Sequence, residues 1–228
     1  MNMAQVNAFP LVLSLKTALM STVIVFVIAL VFSYICARKD FPGKSVLEAI
    51  FLLPLILPPT VVGFALLYLF GKTGPLGKLL NTFFGIQIVF TWYGVLIAAI
   101  VVSFPLMYQA AVASFSQYDS KVEQAARTLG KTRLQVFWTI SLPLAWPGLL
   151  AGTVLAFARG LGEFGATLMV AGYIPNVTET IPLAIYFAVE TGNYTVAQFW
   201  GVLIVIIGFA ATLWLNWWSK RSVMKYRR

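Results

Sequence analysis

Long stretches of this chain carry no charged residue at all, among them 21 residues at 17–37, 23 at 49–71 and 40 at 79–118. A helix rises about 1.5 Å per residue, so roughly 20 apolar residues cross the ~30 Å hydrocarbon core of a bilayer. Sixteen Lys and Arg with seven Asp and Glu are too few to coat a soluble globule of 228 residues, and the mean hydropathy is +0.88. The chain reads as an all-α integral membrane protein that crosses the bilayer several times. It has no histidine, which removes the usual proton shuttle and zinc ligand and argues against hydrolases and intramembrane metalloenzymes. The single cysteine, Cys36, ends an apolar run and reads as filler.

Five spanning helices are expected, over about 12–37, 47–71, 92–115, 147–172 and 196–218. Trp92 and Tyr93 mark an interfacial belt before the third, Pro147 suits the first turn of the fourth, and Trp217 and Trp218 close the fifth ahead of Lys220 and Arg221. The stretch 79–91 is left as an outer connection or shallow re-entrant piece. A cleavable leader fits poorly, because only Lys16 precedes the first apolar run and no small-residue cleavage pattern follows it.

Placement of the basic residues orients the chain. Arg38, Lys39, Lys44, Lys121, Arg127, Lys131, Arg133, Lys220, Arg221, Lys225, Arg227 and Arg228 fall on one side, twelve in all, against Lys72 and Lys78 on the other. The positive-inside rule then puts the N-terminus outside and the C-terminus in the cytoplasm. The net charge of +9 is thus a topology signal, and nothing in its placement forms a nucleic-acid groove.

Residues 119–143 form the one long polar stretch, and they read as two short helices joined at Gly130. Ser120 with Glu123 matches a capping box, as does Thr132 with Gln135. Val122, Ala125, Ala126 and Leu129 fall at helical spacing on one face, Leu134, Phe137 and Trp138 on another, and Pro143 is expected to stop the second helix. Apolar faces too small to make a core belong to a knob that docks on something.

Gln124-Ala125-Ala126, Gly130, Ile140 and Leu142-Pro143, at their spacing here, resemble the EAA loop of permease subunits of binding-protein-dependent ABC importers. In that family the loop inserts into a cleft of the ATP-hydrolysing subunit. The resemblance therefore makes Glu123, Gln124, Ala125, Ala126, Gly130, Ile140, Leu142 and Pro143 the ATPase-coupling residues. One departure is that Gln124 stands at the family's glutamate, with Glu123 one residue earlier. The resemblance implies a non-catalytic subunit of a prokaryotic cytoplasmic membrane, with residues 1–228 a single transmembrane domain and no cofactor. The implied partners are a second copy of the chain, two copies of an ATPase and an extracytoplasmic binding protein. Neither Gly-Lys-Thr triplet, 71–73 or 130–132, is a phosphate-binding loop, because Leu66 and Ala125 stand where the first glycine is needed. Phe41-Pro42-Gly43-Lys44, the 54–59 run and residues 156–167 are similar to the oxyanion branch of these permeases, most of all to its molybdate members. Tungstate or sulfate transport is the alternative. An ion-coupled secondary transporter would be larger and richer in intramembrane carboxylates.

Arg159 and Glu163 are the ionisable residues deep in a span. They are either a mutually neutralising pair or positive potential for a crossing dianion. Gly148, Gly152, Ala156 and Gly160 give that span a face almost without side chains, for packing inside the subunit or across a dimer. Pro54, Pro58 and Pro59 make the second span a candidate gate or a static kink, and Pro105 invites the same question.

Overall fold

The computed structural model describes residues 7–225, with side chains through Trp214. The first six residues and Arg227 and Arg228 lie outside the described residues, as do the side chains of Trp217, Trp218, Lys220, Arg221 and Lys225. Among the described residues eleven α-helices follow one another: α1 (Phe9–Arg38), α2 (Lys44–Ile56), α3 (Pro59–Phe70), α4 (Pro75–Phe84), α5 (Trp92–Ser116), α6 (Lys121–Thr128), α7 (Arg133–Val136), α8 (Leu142–Leu161), α9 (Gly165–Ala171), α10 (Ile181–Glu190) and α11 (Tyr194–Lys225). Four continuous helical segments of the described residues are long and apolar enough to cross a membrane: Phe9–Arg38, Trp92–Ser116, Arg133–Leu161 and Tyr194–Trp214. The pair α2 and α3 counts as a fifth only as a broken span, bent by 116°.

The break between α2 and α3 has a local cause. A residue that precedes proline is pushed away from the helical region, and Leu57 and Pro58 stand in succession before Pro58 and Pro59. Both are extended, with ψ of 143° and 138°, so the helix stops and restarts with Pro59 in its first turn. Pro54, by contrast, lies within α2, and Pro105 within α5.

Two expected boundaries are corrected at the fourth span. It begins at Arg133 rather than Pro147, and Pro143 does not stop it. A π-turn at Phe137–Ser141 widens the ladder, with the Leu142 N–H donating to the Phe137 carbonyl. Pro143 then sits in the first turn of α8, where its missing N–H is not needed. The span also ends earlier, at Leu161, and α9 is a separate helix after a break at 162–164. Besides Arg159, ionisable side chains lie within α1 and α2: Lys16 in α1, its Nζ 4.0 Å over the Trp92 ring, and Glu48 in α2. Stretch 79–91 is partly helical through α4, and the segment after α9 contains α10, whose Ile181 and Leu183 are fully buried.

Helix α5 is the centre of the bundle, packed between α1 and α8 around Val25, Met107, Ala111, Phe115 and Leu149. The small-residue face of α8 explains the close approach and is used within the subunit. A Cβ on Gly152 would lie 2.7 Å from the Ala110 Cβ, one on Gly148 would overlap Ser114 Oγ, and one on Gly160 would meet Ser21 Oγ at 3.1 Å. A second cluster joins α3 and α9 to the first half of α5 through Val62, Leu66, Ala98, Val102, Ala166 and Val170.

Candidate functional site

The knob at 119–143 folds as two short helices at a glycine. Gly130 has φ +89°, the left-handed conformation that side chains resist, and its Cβ position is open space, so backbone geometry alone fixes the residue type. The Gly130 N–H donates to the Arg127 carbonyl and the Lys131 N–H to the Ala126 carbonyl, the paired bonds of a Schellman ending. Thr132 and Gln135 form the reciprocal capping box expected of them: the Gln135 N–H donates to Thr132 Oγ1 at 3.3 Å, and the Thr132 N–H to Gln135 Oε1 at 2.9 Å.

The other expected capping box does not form. Ser120 already has helical backbone angles and makes no side-chain cap, the Lys121 N–H donates to Asp119 Oδ1 instead, and Glu123 is turned away from the helix start and buried. Glu123 Oε1 accepts hydrogen bonds from the Tyr118 hydroxyl at 2.7 Å, Ser141 Oγ at 2.8 Å and Arg38 Nε at 3.0 Å, while Oε2 accepts from the Tyr34 hydroxyl at 3.4 Å. The Arg38 guanidinium lies 4.3 Å over the Tyr118 ring. Burial pushes the Glu123 carboxyl up, but the donors Tyr118 and Ser141 and the charge of Arg38 outweigh it and hold the group below its ordinary value. A pocket of about 420 Å³ opens beside these groups, lined in part by Arg38, Lys39, Gln124, Arg127 and Arg133.

Glu123 and Ala126 therefore form the inward face of α6, and the expected apolar face divides. Val122, Ala125 and Leu129 point outward with Gln124, Leu129 being 86% exposed, and Leu134 and Trp138 are 68% and 58% exposed. Ile140, Leu142 and Pro143 are half-buried where the knob joins α8, and Leu142 packs on the central core. The sequence offered no signal for the partners of Glu123. Arg38 and Tyr34 are 85 and 89 residues away, and a basic residue after a span looks like any other orienting charge.

Deeper in the bundle, Arg159 Nη1 and Glu163 Oε2 are 2.6 Å apart. They are not on one helix face, however. Glu163 follows the end of α8 at Gly162, and its Oε1 accepts the Ala166 N–H at 2.8 Å, capping α9. The carboxylate is thus neutralised on one oxygen and satisfies an orphan helix donor with the other. This break faces the break between α2 and α3: Gly165 lies against Pro59, and Gly63 against Ala166 and Met169. Among the described residues, no group of three or more His, Cys, Asp or Glu could hold a metal ion.

The family described as binding-protein-dependent transport system inner membrane component matches residues 29–224. YvgM of Bacillus subtilis strain 168 is 48% identical over 200 residues, 88% of each chain. The molybdenum transport system permease protein ModB of Escherichia coli K12 is 43% identical over 211 residues, 92% of each chain. In fold, the chain is similar to a solved structure of the inward-facing MetNI methionine ABC transporter, with a TM-score of 0.71, 16% identity, and coverage of 93% of this chain and 94% of that one.

Proposed function

We propose, from the premise that this chain belongs to the family of binding-protein-dependent transport system inner membrane components, that it is the membrane permease subunit of an ABC importer for molybdate. The carrying observation is its 43% identity to a molybdenum transport permease across 92% of both chains. It is a multi-pass inner membrane protein, and the members of its family are permease subunits rather than catalysts. ATP is hydrolysed on a separate subunit.

The finer assembly is our reading. Residues 1–228 form one transmembrane domain with the N-terminus outside and the C-terminus in the cytoplasm. Two copies pair around a central pathway, receive molybdate from an extracytoplasmic binding protein and rest on two ATPase subunits. The exposed Val122, Gln124, Ala125, Leu129, Leu134 and Trp138 make the contact with the ATPase, and Gly130 sets the angle between the two short helices. In support of this, the knob is ordered by its own caps yet leaves its largest apolar side chains uncovered.

The facing breaks at Pro58-Pro59 and at 162–164 form the gate. Irregular backbone at membrane depth is tolerated where it lines a cavity or is buried in protein, and here two helices are interrupted where they touch. Arg159 and Glu163 act as a structural pair that keeps the second break neutral and capped. A fixed, unpaired cation in the pathway would instead hold a dianion that has to leave.

Radiolabelled molybdate uptake at trace concentration, in cells with and without this chain, tests the substrate. Uptake should be lost in the deletion strain, and molybdenum-enzyme activity should return when molybdate is supplied in excess. A strain that takes up molybdate normally but requires sulfate or cysteine would give the assignment to sulfate instead.

A further inference from the structure

We propose that Glu123 is a positioning residue of the coupling loop, clamping α6 to the cytoplasmic end of α1 and to the foot of the α7–α8 span so that the knob and these helices move together. The proposal rests on the coupling role given to the knob above.

Helix α6 has only eight residues and is bordered by two places where the chain can swing, the turn at Asp119 and Ser120 and the left-handed Gly130. A knob hung between two hinges would tilt when pushed and transmit little. What prevents tilting is a single carboxylate. Tyr34 and Arg38 reach Glu123 from α1, Tyr118 from the end of the α5 connection, and Ser141 from the π-turn that leads into α8. Four donors from three separate parts of the chain therefore converge on one side chain of α6, which is only 6% exposed. The next inward-facing residue, Ala126, is small enough to let the helix lie close.

Such an arrangement differs from a surface ion pair in two ways. The Arg38 and Glu123 side chains are largely covered, at 13% and 8% exposure, so their attraction is screened less than that of a surface pair, and all four donors share one carboxyl group, which binds them most strongly when it is charged. The π-turn adds a reason for the position of Ser141. By widening the helix at Phe137–Ser141 it makes the turn nearest the knob the least regular part of the fourth span, and Ser141 fastens that turn to α6. Glu123, one residue before Gln124, is thus not a displaced contact to the ATPase. Its carboxylate is committed inside the subunit, and the side chain left facing the partner is the amide of Gln124.

The test uses the complete importer, with its ATPase and binding protein, in proteoliposomes. Glu123→Gln and Glu123→Ala should retain the ATPase on co-purification but move at least fivefold less molybdate per ATP hydrolysed, with Glu123→Asp in between. In a Cys36→Ser background, the double variant Arg38→Cys with Glu123→Cys should show the same loss, and bridging the two cysteines with a short bis-maleimide should restore the ratio, because the bridge replaces the clamp and nothing else. A wild-type transport ratio in Glu123→Gln would overturn the proposal. So would loss of ATPase retention that the bridge does not repair, since Glu123 would then be a partner contact. Failure of the unaltered importer to retain the ATPase through the knob, seen as full retention when Leu129 and Leu134 are both changed to Asp, would instead remove the coupling reading itself.

Discussion

Gly165 sits so close to Pro59 that a Cβ on the glycine would lie 2.9 Å from the proline Cβ. The first residue of α9 thereby touches the first residue of α3, and each of these helices restarts after an interruption. Where two broken helices meet, small changes in one break are felt by the other, because packed interfaces shift between arrangements rather than stretching.

Gly165→Val should therefore interfere with transport more than with folding. Overpacking of this kind costs about 1–3 kcal/mol, enough to lower the melting temperature in detergent without preventing insertion. Uptake should fall at least tenfold at equal membrane abundance. A variant with normal uptake would show that this contact does not move during transport.

The Arg159–Glu163 pair should respond asymmetrically. Removing one partner of a buried pair typically costs ~3–5 kcal/mol, and Arg159→Gln should fall at or below the lower end because the Arg159 side chain keeps 28% exposure. Glu163→Leu should cost more, since Glu163 also caps α9 through the Ala166 N–H and leucine has no acceptor to replace it. Exchanging the two residues should not restore assembly, because a cation would then face the N-terminus of α9. Detergent-extracted yield and thermal stability of the three variants measure this, and full recovery in the exchanged variant would contradict the capping role.

Acid stability reports on Glu123. Its folded-state pKa is lowered from 4.5, so its contribution to stability is fully present above about pH 4.5 and fades as pH falls through the lower folded value. The stability difference between the wild type and Glu123→Gln should be constant from neutral pH to roughly one unit above 4.5, and should shrink below it. Thermal denaturation in detergent across that range is the measurement. A difference that already changes between pH 6 and 8 would mean that the carboxyl titrates there and the donors do not hold it.

Orientation is tested by labelling. In a cysteine-free Cys36→Ala background, Lys78→Cys on α4 should react with an impermeant maleimide from outside, and a C-terminal tag should be reached only after the membrane is opened. Lys78 is exposed, whereas Gly74 nearby is held against the carbonyls of Tyr68 and Leu69 and cannot carry a side chain without displacement.

The spans, the glycine turn and the second capping box were legible because each depends on local chemistry: charge-free length, left-handed backbone, and a hydroxyl three residues before an amide. The course of the fourth span was not. Pro143 and Pro147 look like helix boundaries by local rules, but the π-turn upstream, which has no sequence pattern of its own, carries the helix past Pro143, and α8 continues through Pro147. Glu123 failed for the opposite reason. A glutamate three residues after a serine is a good local cap, but four donors brought by the tertiary fold outcompete one backbone N–H. Likewise, helical spacing groups Ala126 with Val122 and Leu129, whereas its inward position follows from Glu123 rather than from hydrophobicity.

That division of α6 into an inner and an outer face yields the sharpest test of coupling. Leu134→Asp and Leu129→Asp place charges on the uncovered face, where they should cost the isolated permease little and, on the proposed docking, would be buried only against the ATPase. Both should insert and assemble like the wild type, retain less ATPase and transport less. Ala126→Asp places its charge on the inward face of α6 that it shares with Glu123, where like charges repel and an acidic side chain replaces a buried methyl; it should lower the abundance of the permease itself. Gly130→Val should behave like the outer variants, because its ~1–2 kcal/mol of left-handed strain is local and can be relieved by re-aiming α7 away from the docking angle. Quantifying permease abundance and co-purified ATPase separately for all four distinguishes the two faces. Equal losses of abundance throughout would mean that the whole knob is needed for folding, and its outward apolar side chains would no longer point to a partner.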